Sequence, residues 1–326
     1  MFGFDFFATI LRKMRRARAL FTIIIVSTRV EIQVAETERR KRLEDFLFDR
    51  FGGLSRMYLR EIVKNEECEV NGRHENIGYR LRPNDLVEIS VDLTRETAMR
   101  PQEMPIEIAF ENEDLIVVVK PAEMLVHPTH RDKSGTLLNG LSYYLNRNRI
   151  HGCENEVAPE SPVRPGLIHR LDKQTSGLMV VAKNDRAHRI LCRHFQKKLV
   201  EKRYLAVVDG VVAEDKGTIE APIARYAELK YWDVKADGKH AVTRFWVKER
   251  YKNATLLELE PVTGRTNQLR IHCAYIGHPI AGDTERGGSQ FRRLCLHAYK
   301  LAFKNPSGGE MMEFATERPA EFDLFA

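Results

Sequence analysis

The sequence predicts an α+β chain. A small α/β domain precedes a larger one, which is built on a mixed, mostly antiparallel sheet with flanking helices and a cleft. Three observations carry this. The 326 residues exceed one ordinary core, since about 100–200 residues make a domain. A polar stretch at 93–105, with Pro101 and Pro105, reads as a linker. Beyond it, short apolar runs with strand character outnumber helical patterns.

Taken in order, residues 1–39 read as an N-terminal extension, disordered or loosely docked. Met1–Ile10 is aromatic-rich, Arg12–Arg18 basic and Leu20–Val26 apolar. The apolar run is too short to span a bilayer. Neither the charge arrangement nor the cleavage site of a secretory signal is clear, so such a signal is not indicated. An organellar transit peptide is the alternative.

Residues 40–92 form the small domain. Leu43, Phe46, Leu47 and Phe51 keep helical spacing, and Gly52-Gly53 closes that helix. Ser55 is the expected N-cap of a second helix over 56–65. Asn71-Gly72 marks a tight turn after a short strand, and 85–91 reads as another strand.

The larger domain spans 106–326. Leu115–Val119 and Leu178–Ala182 read as buried strands. A helix is expected over 185–198, with Ile190, Leu191, His194 and Phe195 on one face. Strands follow at 204–208, 241–247 and 254–259. Asn267–Tyr275 is a second helical segment, ending near Gly277.

Composition bounds the function. The formal charge is +6 and the isoelectric point about 9.0, compatible with a polyanionic partner. Cys68, Cys153, Cys192, Cys273 and Cys295 are odd in number and scattered. They indicate neither a disulfide framework nor a zinc site, so a reducing, cytoplasmic setting is expected. No metal cluster and no nucleotide-binding glycine loop is evident, so no cofactor is expected. No membrane association and a monomer are the corresponding expectations.

Three motifs carry chemistry. His169-Arg170-Leu171-Asp172 leads through a Thr-Ser-Gly turn into the buried strand 178–182. A loop held by a rigid strand is a common place for a reactive group, though an isolated Asp there is often only a cap. Glu201-Lys202-Arg203-Tyr204 runs into an apolar strand, so Tyr204 is either a rim tyrosine or a ring that stacks on a base. Val262-Thr263-Gly264-Arg265-Thr266-Asn267-Gln268-Leu269-Arg270-Ile271-His272 is a glycine turn entering a helix, followed by Gly277-His278-Pro279-Ile280 and Gly282-Asp283.

Together, in this order, and with Lys120-Pro121 and Leu125-Val126-His127-Pro128 ahead of them, these blocks closely resemble the RluA-type RNA pseudouridine synthases. Residues 40–92 resemble the S-four-like RNA-binding domain, named after a small-subunit ribosomal protein. The matching residues are Arg42-Leu43, Leu54-Ser55-Arg56, Val70-Asn71-Gly72 and 83–87. Two stretches depart from these patterns: Asn65-Glu66-Glu67-Cys68, where a glycine is more usual, and Asn267, where His is usual.

The resemblance implies that Asp172 is the catalytic carboxylate, that Tyr204 stands in the active site and that Arg270 pairs with Asp172, with Leu269 near the substrate. Such a pair would lower the Asp172 pKa. The carboxylate could attack the ribose anomeric carbon, attack the uracil ring, or assist elimination of the base. All three routes require it ionised. The target base must leave its stack. Arg170 is the candidate to fill the gap, and Tyr204 the candidate to stack on the uracil or take its carbon-5 proton.

His169, Arg42, Arg56, Lys64, Arg73, Lys197, Lys198, Lys202 and Arg203 are the expected RNA contacts, mostly to phosphate. Large-subunit ribosomal RNA is the first expected substrate and transfer RNA the second. A non-catalytic RNA-binding or assembly factor on the same scaffold, and a hydrolase using Asp172, are the alternatives.

Overall fold

A computed structural model describes residues 28–51, 54–92, 100–129, 131–148, 163–226 and 231–326. The chain divides into Met1–Thr97 and Ala98–Ala326.

In the first unit, strands β1 (Thr28–Gln33), β2 (Cys68–Val70) and β3 (Leu86–Val91) form an antiparallel sheet in the order β1-β3-β2. Helices α1 (Leu43–Arg50) and α2 (Arg56–Lys64) bury Leu43, Phe46, Leu47, Leu59 and Ile62 together with the sheet residues Val87, Ile89 and Val91. The Ser55 side chain accepts from the Tyr58 N–H at 3.2 Å, as its capping position predicts. Asn71 and Gly72 both take positive φ, 52° and 71°, in the two-residue turn between Val70 and Arg73.

This unit begins earlier than residue 40. β1 pairs with β3 from Thr28↔Val91 to Gln33↔Leu86, and Val34 is 1% exposed. Residues 28–39 therefore belong to the small unit rather than to an extension. The strand lies at the sheet edge and is only half covered, which leaves a weak hydrophobic signal. Residues 1–27 of the expected extension and 93–99 of the expected linker lie outside the described residues.

Residues 100–105 are tied to the larger unit. The Asn139 side chain donates to the Arg100 carbonyl at 3.0 Å, and the Gln102 N–H donates to the Asn139 carbonyl at 3.1 Å.

The larger unit is built on one sheet. Its strands are β4 (Glu107–Glu111), β5 (Leu115–Lys120), β6 (Gly166–Leu167), β7 (Ser176–Ala182), β8 (Glu201–Asp209), β9 (Lys216–Glu220), β12 (Val242–Arg250), β13 (Ala254–Pro261), β14 (Leu296–Lys304) and β15 (Met311–Ala315). The order is β4-β5-β7-β14-β8-β13-β12-β9, with β15 on β14 and β6 on β7. Among the described residues every pairing in this sheet is antiparallel except β7 with β14. A separate hairpin joins β10 (Ile223–Tyr226) and β11 (Tyr231–Val234). Helices α3 (Leu137–Tyr144), α4 (Asp185–Gln196) and α5 (Gln268–Tyr275) pack beside the sheets. The fold is the expected α+β class.

β7 is buried along all seven residues, which explains its continuous apolar run. Leu178, Val180 and Ala182 pack against Ala187 and Leu191 of α4. Met179 and Val181 pack against Leu137 and Leu141 of α3. Gly177 sits at φ 119°, where a Cβ would collide with the Ala298 backbone of β14. Only glycine permits that approach.

Candidate active site

Asp172 lies in the turn that feeds β7, and three anchors hold this turn. The Thr175 N–H donates to the Asp172 carbonyl at 3.1 Å. His169 Nε2 accepts from the Val180 N–H at 3.1 Å, so the ring is the neutral tautomer with its proton on Nδ1. That ring stacks on Phe195 of α4, centroids 4.6 Å apart. Burial, with Lys202 nearby, pushes its pKa down to about 3.

The third anchor is Lys120, fully buried at the end of β5. Its ammonium donates to the carbonyls of Pro121 (2.8 Å), Met124 (2.8 Å) and Lys173 (3.0 Å). It thus grips the residue next to Asp172. Burial and Arg293 push the Lys120 pKa down to about 8, against the pull of Asp172.

A cleft of about 900 Å³ opens over this turn. Asp172, Tyr204 of β8 and Leu269 and Arg270 of α5 all line it, with His169, Arg170 and Lys202. The pleat explains part of this set. Lys202 and Tyr204 are two residues apart and share a face, whereas Arg203 points to the other face. There Arg203 meets Glu260 at 3.1 Å, Glu201 at 3.3 Å and Glu258 at 3.7 Å, and stacks over Trp246. The structure therefore does not bring Arg203 to the cleft.

The third motif is fixed by Gln268. Its Oε1 accepts from the Thr263 hydroxyl (2.7 Å) and the Arg265 N–H (3.0 Å). Its Nε2 donates to the Val242 carbonyl (2.9 Å) and to Thr243 Oγ1 (3.0 Å). Asn267 enters α5 in the left-handed conformation, φ 54°, with no side-chain cap bond. Asn tolerates this conformation better than most residues.

The direct ion pair expected between Arg270 and Asp172 is not formed. Arg270 forks onto the fully buried Asp283, with Nε to Oδ2 at 2.7 Å and Nη2 to Oδ1 at 2.5 Å. A second contact reaches Glu285 at 2.9 Å. A guanidinium held by a buried carboxylate cannot turn its fork elsewhere.

Arg270 acts on Asp172 through space instead. Burial raises the Asp172 pKa, and the charges of Arg270, Arg170, Lys120 and Arg286 together offset only part of that rise. The net direction is upward, opposite to the lowering expected for a contact pair. Tyr204 is shifted up as well, by burial and then by the Asp172 charge, so its hydroxyl stays protonated at neutral pH.

Arg170 is exposed beside Asp172 and makes no ion pair within 4.0 Å among the described residues. Leu269 is buried in the core and also lines the cleft. In the small unit, Arg42, Lys64 and Arg73 are exposed. Arg56 instead holds Asp45 at 3.0 Å and lies over the Phe48 ring at 3.9 Å.

Lys120, Gln268 and Asp283 supply the support that sequence reasoning missed. Each stands inside a stretch already singled out, but its role rests on contacts with no local signature. Among the described residues no group of three or more His, Cys, Asp or Glu could hold a metal ion, and no helix is long and apolar enough to cross a membrane.

Comparison with known proteins identifies the family. The family described as RNA pseudouridylate synthase matches residues 114–275. An uncharacterized RNA pseudouridine synthase of Bacillus subtilis is 38% identical over 296 residues, covering 90% of this chain and 95% of that protein. The ribosomal large subunit pseudouridine synthase D of Haemophilus influenzae is 35% identical over 308 residues, covering 89% of this chain and 91% of its own. Among solved structures, human RNA Pseudouridylate Synthase Domain Containing 1 superposes with a TM-score of 0.54 at 27% identity, over 69% of this chain and 86% of its own.

Proposed function

The chain belongs to the RluA-type RNA pseudouridine synthases and is an isomerase acting on RNA, and from that premise we propose that Asp172 is its nucleophile and large-subunit ribosomal RNA its substrate. One observation carries the catalytic reading. Three sequence blocks separated by tens of residues place Asp172, Tyr204 and Arg270 in one cleft. The name of the Haemophilus relative supports the choice of RNA.

The reaction breaks the bond from ribose to uracil nitrogen 1 and rejoins the ring through carbon 5. The proton leaves carbon 5, and nitrogen 1 ends protonated. In every route open to Asp172 the carboxylate must be ionised at the start. Burial opposes this, and the surrounding cations, Arg270 foremost, keep the anion accessible.

The uridine reaches Asp172 only after leaving its stack, at a cost of a few kcal/mol. The exposed Arg170 guanidinium fills the vacated space. Tyr204 stacks on the uracil. Its raised pKa makes direct proton removal by a phenolate unfavourable at neutral pH, so a water beside it is the better carrier for the carbon-5 proton. The small unit grips RNA as an S-four-like module through Arg42, Lys64 and Arg73. Cys68, Cys192, Cys273 and Cys295 are free thiols, which supports a cytoplasmic setting.

The test is to map pseudouridine at single-nucleotide resolution in unmodified large-subunit ribosomal RNA and in unmodified transfer RNA. Wild type should modify discrete uridines in the ribosomal RNA, and Asp172→Asn should modify none while still binding it. Activity of Asp172→Asn within tenfold of wild type would remove the nucleophile assignment. Pseudouridine confined to transfer RNA would overturn the substrate.

A further inference from the structure

The geometry points to the outer ridge of α4 as a track for the phosphodiester backbone of the RNA substrate, leading out of the cleft along Lys197, Arg193 and Arg189. This rests on the reading of the cleft as the RNA-modifying site and says where the substrate runs once it leaves that site.

α4 buries Ala187 and Leu191 against β7. Its opposite side presents Arg189, Arg193 and, at the C-cap, Lys197, all exposed. Their i, i+4, i+8 spacing stacks them on one ridge about 12 Å long, at 1.5 Å per residue. Among the described residues none of the three has an ion pair within 4.0 Å. Asp185, one turn before Arg189, does not reach it within that distance, whereas Lys183 just upstream holds Glu111 at 2.6 Å.

Like charges one turn apart disfavour a helix. The helix dipole rewards cations only in the last turn. That accounts for Arg193 and Lys197 and leaves Arg189, in the middle of the helix, without a structural reason.

Continuity with the cleft supplies the occupant. Gln196 and Lys198, on either side of Lys197, line the cleft itself, as does Phe195 one residue earlier. The ridge therefore starts at the rim where the target nucleotide enters and runs outward. A polyanion whose reacting nucleotide occupies the cleft meets this row next. Unpaired cations at one-turn spacing match a repeating phosphate charge, with no demand on base sequence.

The experiment measures the affinity of the full chain for unmodified large-subunit ribosomal RNA, transcribed in vitro, across a salt series. The Arg189→Gln/Arg193→Gln double variant removes two phosphate contacts. It should lower the slope of log affinity against log salt by about 1.4–1.8. Arg189→Lys/Arg193→Lys should retain the wild-type slope, because a phosphate track needs charge and not a fork. Lys216→Gln, an exposed cation on β9, controls for a general change in net charge.

An unchanged slope in the double Gln variant, or an equal per-charge drop in Lys216→Gln, would overturn the proposal. Loss of slope in the Lys variant with unchanged helix content would overturn it too. Pseudouridine formation by the same preparations separates this failure from failure of the site: an active enzyme with an undiminished slope lacks the track and keeps the chemistry.

Discussion

Four arginines of the small unit and three beside the cleft of the larger unit handle positive charge in opposite ways. In the small unit Arg29, Arg50, Arg56 and Arg60 each hold a carboxylate, at 2.6–3.0 Å. In the larger unit Arg170 beside the Asp172 turn, and Arg189 and Arg193 on α4, hold none within 4.0 Å among the described residues. The lesson is that net charge is a poor guide to RNA contact. A cation already neutralised by a neighbour must break that pair before it can bind phosphate. Arg56, which the sequence offered as an RNA ligand, is such a case.

The contrast sharpens at Arg270, a cleft arginine held by two carboxylates. Its fork orients it and keeps it from collapsing onto Asp172. Arg270→Lys should therefore lose on the order of a hundredfold in kcat despite keeping the charge, as when one preorganised electrostatic group is removed. Single-turnover rates measure this, and a Lys variant within threefold of wild type would show that the fork to Asp283 does not matter.

Next in size is removal of residues 1–97. Each unit has its own buried cluster, so the remainder should fold and keep its cooperative unfolding. Its RNA affinity should fall about tenfold at low salt and less at high salt, since phosphate contacts are screened. Equal affinity at all salt concentrations would mean that the exposed Arg42, Lys64 and Arg73 contribute nothing.

A smaller effect concerns pH. The Asp172 pKa is raised, so activity should rise with pH through a midpoint above the ordinary value of about 3.9. Arg270→Gln removes a charge that lowers this pKa and should move the midpoint higher still. A midpoint that stays put would show that the two groups are not coupled. The same shift has a stability consequence. The folded pKa exceeds the unfolded one, so ionisation above the folded pKa disfavours the folded state. Asp172→Asn should thus raise Tm at neutral pH, which thermal unfolding measures.

The smallest expected effect is Arg56→Gln. With Asp45 already on that guanidinium, RNA affinity should change less than twofold. A tenfold loss would break the distinction between paired and unpaired cations.

Much of this architecture is legible in the sequence where one face or both are buried. β7, β8, β12, β13, α4 and α5 all announce themselves by apolar runs or helical spacing. β1 and the β10–β11 hairpin do not, because edge and half-covered strands need few apolar residues. The site divides the same way. Asp172, Tyr204 and Arg270 stand in recognisable blocks. The Arg270 partner does not follow from its own block, since a salt bridge is decided by which carboxylate the fold brings into the same dry pocket. Asp283 lies thirteen residues beyond Arg270 and is fully buried, whereas Asp172 is only half-buried across the cleft.

The one parallel pairing among the described residues of the sheet sets the moment at which the Asp172 turn is held in place. β7 follows the Asp172 turn directly, and its start is pinned by His297↔Ser176 and Ala298↔Gly177. His297 accepts from or donates to the Ser176 hydroxyl at 2.7 Å, and Arg293 reaches the same oxygen at 2.5 Å. All of these partners are synthesised more than a hundred residues after Asp172. Contacts of such long sequence separation form late and slowly. A nascent chain leaving the ribosome thus carries Asp172 through more than a hundred further residues of synthesis before β14 is there to pin the start of β7.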